Sequence, residues 1–309
     1  MRWVTCVSPL STEPQIGVVV DNAVHVYEDG PGYVPLVSLL GDDGEALERA
    51  GQKALANPAE VLPLASVTLL PPIPKPGTIR DFYAFEQHVK VARQRRGLDM
   101  DPLWYSLPVF YFSNPYASIG HGSAVWPPHT STELDYELEV AAVIGKGGRN
   151  IPEQSARSHI VGFMIMNDWS ARDLQREEMR LSMGPVKGKD FATTLGPCLV
   201  TPDELESARA GTAFNLAMTA KVNGEVYSQG NLQDLHWSFE EMVAYASRDT
   251  RCEPGDIIGS GTCGTGCILE LSLVSGTERF PWLRAGDTVE LSVERLGALE
   301  NHIVDRPGR

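Results

Sequence analysis

Two glutamates, Glu137 and Glu139, stand two residues apart in the segment LDYELEVAAVIG. Their neighbours are those of a strand, whose period of two puts both carboxylates on one face and turns Leu138 and Val140 to the other. Adjacent carboxylates repel unless water or a cation lies against them, and a desolvated carboxylate without a partner is costly. The plain alternative is a solvated polar strand face. A third carboxylate, Asp168, ends the apolar run VGFMIMN just ahead of the helical WSARDLQREEMR. There it is either a helix N-cap, a role Ser170 shares, or a ligand at a sheet's edge. Asp81, in IRDFYAFEQH, is a fourth candidate. Three or four carboxylates make an all-oxygen donor set, which suits Mg²⁺, Mn²⁺ or Ca²⁺ and argues against zinc.

Other residues offer proton transfer and anion recognition. His88 falls on the first turns of a helix expected to begin near Phe85, and Glu270 interrupts the apolar run CILELSLV. Read as a strand, that run projects Glu270 opposite Leu269 and Leu271. A lone acid there needs a partner, and pairing with His88 satisfies both groups. Arg172 and Gln175 sit three apart on one helical face, and Lys187 and Lys189 flank Gly188; all are donors for a carboxylate, with surface solvation as the alternative. The five cysteines are odd in number and scattered. The close pair, Cys263 and Cys267 in C-G-T-G-C, lacks the second pair or the histidines of a zinc site and reads as structural or incidental.

The elements that must position these groups are mostly strands. IGVVV, Asp21-Asn22 and AVHVY read as a hairpin and residues 44–57 as a helix ended by Pro58, whereas the proline-dense residues 69–82 cannot be regular helix. A domain boundary falls there, giving a small N-terminal β-containing domain over 1–70 and a main domain over 71–309. Beyond it LEVAAVIG, IVGFMIM, FNLAMTAKVNG, DIIGSG and DTVELSVERLG read as strands, with helices over 86–96, 169–180 and 238–247. The fold class expected is therefore β-rich α+β.

Composition narrows the partners. With 309 residues and 42% hydrophobic content the chain buries a large core without staples. Its formal net charge of -14 repels nucleic acid and anionic membranes. No run of about 18 apolar residues reads as a membrane span, and the N-terminus lacks the apolar core of a secretory signal. A soluble, cytoplasmic protein is the expectation.

Four blocks together resemble the fumarylacetoacetate hydrolase family: DFYAFEQH (81–88), LDYELEVAAVIG (134–145), GFMIMNDWSARDLQ (162–175) and GSGTCGTGCILELS (259–272). They come in the family's order, and N-D-W-S-A-R-D-x-Q is long and unusual. The resemblance implies a mixed β-roll or sandwich catalytic domain and a homodimer. It implies Mg²⁺ or Mn²⁺ on Asp81, Glu137, Glu139 and Asp168, with Ca²⁺ as a further option. It implies His88 as a base oriented by Glu270, with Lys189, Arg172, Gln175, Tyr83, Tyr111 and Thr262 on the substrate side. Val91 stands where smaller members carry the Glu of a His-x-x-Glu lid, so the His88 and Glu270 pair looks like the fumarylacetoacetase type. The activity implied is hydrolysis of a carbon–carbon bond in a 1,3-diketo acid, fumarylacetoacetate or an acylpyruvate, with His88 activating water. The alternatives are decarboxylation or isomerisation of a 2-keto acid, of the oxaloacetate type or from aromatic catabolism, or metal binding without catalysis.

Overall fold

The computed structural model describes residues 1–9, 11–30, 32–95 and 97–306. Among them, twelve strands join one mixed sheet. From one edge its path runs Val61–Pro63, Ala23–Tyr27, Pro14–Val20, Arg2–Val7, Thr193–Val200, Ile160–Asp168, Leu138–Ile144, Ile257–Gly259, Ile79–Phe82 and Phe110–Ser113. The expected hairpin forms the second and third strands of this path: Val20 pairs with Ala23, and Asp21 and Asn22 take φ of 47° and 63°, the left-handed pair a two-residue turn demands. Arg2–Val7 pairs with Thr193–Val200, so the sheet runs unbroken across the boundary expected near residue 70.

A second sheet lies against the first, in the order Glu225–Asn231, Ala217–Val222, Thr288–Val293, Gly297–Ile303 and Ala124–Val125. The Leu138–Ile144 strand is buried on both faces. Its Val140, Ala142 and Ile144 pack with Val222, Leu291 and Leu299 of the second sheet. Ala141 and Val143 face the other way, joining Met164 and Met166 and the apolar stripe Leu47, Ala50 and Ala54 of the Glu45–Ala56 helix. Each fully buried Leu or Ile stabilises by about 1.5–3 kcal/mol. The central strands are thus clamped from both sides and their ends are held in place. The fold is β-rich α+β, as the sequence pattern implies.

The expected helices occur at Glu86–Arg95, Arg172–Met179 and Phe239–Ala246, residue 96 lying outside the described residues. The second starts late because Ser170–Ala171 stays extended and pairs with Leu134–Asp135. One expectation is corrected: most of CILELSLV is not a strand but the helix Ile268–Ser275. Its start is fixed from outside by Asp135, whose carboxylate accepts from the amides of Ile268 at 2.7 Å and Leu269 at 3.0 Å. Leu273 and Val274 are exposed, so the apolar alternation that suggested a buried strand has no sheet to join. No helix among the described residues is long and apolar enough to cross a membrane.

Candidate active site

The four carboxylates converge at one end of the large sheet because of strand direction. Leu138–Ile144 runs antiparallel to Ile160–Asp168, with Leu138 opposite Asn167, so the start of one strand meets the end of the other. Ile257–Gly259 runs parallel to Ile79–Phe82, with Gly259 opposite Asp81. Glu137, Glu139, Asp168 and Asp81 therefore project from neighbouring strand ends, and each offers an oxygen within 4.8 Å of the others'. A Cβ on Gly259 would lie 2.5 Å from an Asp81 oxygen, and Gly261, at φ 75°, donates its amide to Asp81 at 3.1 Å. Glycine at these two positions lets the chain wrap the carboxylate.

All four acids are buried. Asp168 is not a helix cap: the following helix is capped by Ala171, and the Asp168 carboxylate accepts from Tyr111 and, at 2.6 Å, from Lys189 Nζ. Lys189 also bonds Glu137, whereas Lys187 lies on the surface with Asp190. Burial disfavours charge on Glu137, but Lys189 and then Arg172 more than reverse this and hold its carboxyl below the usual range. The other three carboxyls are pushed up, first by burial; Asp168 then acts on Asp81, Asp81 on Glu139 and Glu137 on Asp168. Two cations thus serve four acids. Glu139 accepts from the Thr262 hydroxyl at 3.2 Å through one oxygen, while its other oxygen and Asp168 Oδ1 are buried with no hydrogen-bond partner among the described residues. Orphaned buried acceptors of this kind are rare and call for a bound group. An all-oxygen donor set with two orphaned oxygens fits a hard divalent cation.

His88 projects from the first turn of the Glu86–Arg95 helix, and its Nδ1 bonds Glu270. Glu270 is held in turn by the Thr265 amide at 2.8 Å. The pair inferred from sequence is therefore present, although Glu270 reaches it from a helix. Tyr83 stacks edge-on against His88 with ring centroids 5.5 Å apart. A cavity of about 530 Å³ is lined by the acids Asp81, Glu137 and Glu139 together with His88, Tyr83, Tyr111, Arg172, Gln175, Lys189 and Thr262. Apolar Val109, Phe110, Met179 and Leu269 complete its wall.

Arg172 differs from its expected role. Its Nε bonds Asp135 at 2.8 Å, Nη1 bonds Gln175 at 3.0 Å and Nη2 bonds Glu137 at 2.8 Å, so its nitrogens are committed to the protein. It orients Glu137 and ties the cage to the Asp135-capped helix bearing Glu270. Three residues escape the sequence reading. Asp135 sits in the same LDYELE block as the glutamates, and Asn167 Oδ1 accepts from the Glu137 amide at 2.9 Å. Arg95 lines the cavity with no ion pair among the described residues. Arg95 is exposed, and partial desolvation, then the neighbouring Arg176, pulls its guanidinium down. No spacing in the sequence marks Arg95.

Residues 77–304 match the family model for the fumarylacetoacetate (FAA) hydrolase C-terminal domain. The chain belongs to the fumarylacetoacetate hydrolase family, and it carries that family's enzyme fold together with a cluster of acids suited to a divalent cation. The human protein named oxaloacetate tautomerase FAHD2A, mitochondrial, is 30% identical over 98% of this chain and 92% of its own length. The Bacillus subtilis protein named oxaloacetate tautomerase YisK is 31% identical over 78% of this chain and 74% of its own. Among solved structures, a fumarylacetoacetate hydrolase from Exiguobacterium antarcticum is similar with a TM-score of 0.72 at 25% identity, over 99% of this chain and all of that one.

Proposed function

We propose that the chain is a divalent-cation-dependent enzyme that interconverts the keto and enol forms of a small 2-keto acid of the oxaloacetate class. One observation carries the reading: Asp81, Glu137 and Glu139 of the carboxylate cage line the same cavity as His88, which Glu270 holds from behind. The relatives named as oxaloacetate tautomerases favour proton transfer over cleavage. Asp81, Glu137, Glu139 and Asp168 would hold Mg²⁺ or Mn²⁺, which supplies Lewis acidity toward the keto oxygen.

The chain's own groups supply the rest. The Glu270 carboxylate requires the His88 proton at Nδ1, leaving Nε2 with its lone pair as the base. His88 takes the proton from the carbon beside the keto group, the C–H electron pair becomes the enol double bond, and the protonated His88 gives that proton up to the oxygen, which leaves the base free again. No water is consumed. Burial opposes charge on Lys189, but Asp168 and Glu137 outweigh it and raise its pKa, so the ammonium stays charged and stabilises the developing oxyanion. Arg95 and Gln175 receive the substrate carboxylate, since Arg172 is already engaged.

A second reading, hydrolysis of a carbon–carbon bond in a 1,3-diketo acid, is favoured by the His88–Glu270 pair, which is equally built to deprotonate water. Following the ultraviolet absorbance of enol-oxaloacetate with Mg²⁺ or Mn²⁺, alongside acylpyruvates, separates the two. Cation-dependent loss of the enol signal without release of CO₂ or a carboxylic acid supports the tautomerase. Acyl cleavage with no acceleration of enol loss would replace it with the hydrolase.

A further inference from the structure

A second cluster of donors lies beside the cage, and proton transfer uses it only in part. Cys267 Sγ, a ring nitrogen of His88 and a carboxylate oxygen of Glu270 all lie within 4.8 Å of one another, and all three residues are buried. Cys267 immediately precedes the Ile268–Ser275 helix, Glu270 sits on its first turn, and His88 comes from the Glu86–Arg95 helix. The C-G-T-G-C spacing makes no metal site by itself. The fold supplies what the spacing lacks, a histidine and a carboxylate, while Cys263 lies outside the cluster.

We propose that His88, Cys267 and Glu270 form an inhibitory site for a borderline-soft dication, Zn²⁺ above all, which on binding withdraws His88 from catalysis. One nitrogen, one sulfur and one oxygen are the donors zinc prefers, whereas the adjoining cage is all oxygen and suits harder ions. Three protein ligands leave a fourth position for water. Zinc bonds of about 2.0–2.3 Å place tetrahedral ligand atoms roughly 3.3–3.8 Å apart, so the cluster closes with side-chain movements of about 1.5 Å or less. The Thr265 amide already holds the other Glu270 oxygen, fixing the carboxylate as a ligand's outer partner does. On binding, the sulfur lone pair goes to the metal and the thiol proton leaves to solvent. Mg²⁺ prefers oxygen ligands and does not compete for the thiol. Occupancy of this site is independent of the reaction assigned above; only its effect on turnover rests on that reading.

The test uses the full chain with the cage saturated by Mg²⁺. Co²⁺, a spectroscopic stand-in for zinc, should give thiolate-to-cobalt charge-transfer absorption in the near ultraviolet, lost in Cys267→Ser. In competition with a chromophoric chelator, wild type should bind one Zn²⁺ per chain at this site. Cys267→Ser and Cys267→Ala should each weaken that binding at least a hundredfold, and Glu139→Gln, which cripples the cage, should leave it unchanged. Cys267→Ser should keep basal turnover and lose zinc inhibition by the same factor. Absence of the cobalt band in wild type, or wild-type zinc affinity in both cysteine variants, would overturn the proposal and assign zinc to the carboxylate cage.

Discussion

Replacing Glu139 with Gln separates the two demands placed on the cage. Glu139 is fully buried, and one of its oxygens has no partner among the described residues. In the cation-free protein its charge is disfavoured first by burial, then by Asp81 and Glu137, so an amide of equal size removes a cost. The side-chain carbonyl can still accept from Thr262, and the amide hydrogens face the neighbouring acids. The chelated variant should therefore be at least as stable as chelated wild type. A cation, however, loses a charged ligand. A ligand at 100 times its dissociation constant stabilises by about 2.7 kcal/mol. At about 2.1 cal/mol/K of unfolding entropy per residue, the 309-residue chain unfolds with about 0.65 kcal/mol/K, so saturation raises Tm by about 4 °C. Calorimetric melts with chelator and with Mn²⁺ should show that rise in wild type and almost none in Glu139→Gln. A variant that keeps the full rise, or whose chelated form melts well below wild type, would refute the assignment of Glu139 as a ligand in an electrostatically strained cage.

Three further outcomes follow from the same geometry. His88→Ala should keep the cation-induced rise in Tm but lose turnover by at least about a hundredfold, the usual contribution of a general base; steady-state rates beside melts check both halves. Asp81, Glu139 and Asp168 have raised folded-state pKa values, so the chelated protein binds more protons than the unfolded chain above about pH 4.5. Their contribution to stability is present at low pH and falls as pH rises, while a bound cation displaces those protons; the gap between loaded and chelated Tm should widen from about pH 6 to about pH 8, and a constant gap contradicts it. Arg95→Gln should raise KM about tenfold with kcat nearly unchanged, the signature of a lost ground-state carboxylate contact; an unchanged KM places the substrate carboxylate elsewhere.

The parts of the site legible in the sequence are those set by local period. Glu137 and Glu139 share a face because a strand alternates, and His88 falls on a first turn because Glu86–Arg95 has no breaker. The chain order of the blocks marked Asp81 and Asp168 as companions, but not their distances. What escaped depends on contacts across many residues. An alternating apolar octet reads as a strand, and the helix around Glu270 follows from the bond between Asp135 and amides more than 130 positions away. Arg172 has the right residue type for a substrate carboxylate, yet Asp135, Glu137 and Gln175 engage it first, and such competition is invisible until the fold places all four together. Arg95 belongs to a helix whose cavity-facing side only the packing reveals.

The pairing of Arg2–Val7 with Thr193–Val200 bears on how the chain can be handled. That second strand lies directly against the one ending in Asp168, with Asp168 opposite Thr193. Removing the first 70 residues would leave Leu199 and Val200 without their partners Trp3 and Arg2, while Thr193 and Thr194, next to Asp168, keep their pairing with Ser118 and Ile119; the backbone groups bared at the strand's far end are an invitation to aggregate. Residue 70 marks a change of texture in the chain that the large sheet spans.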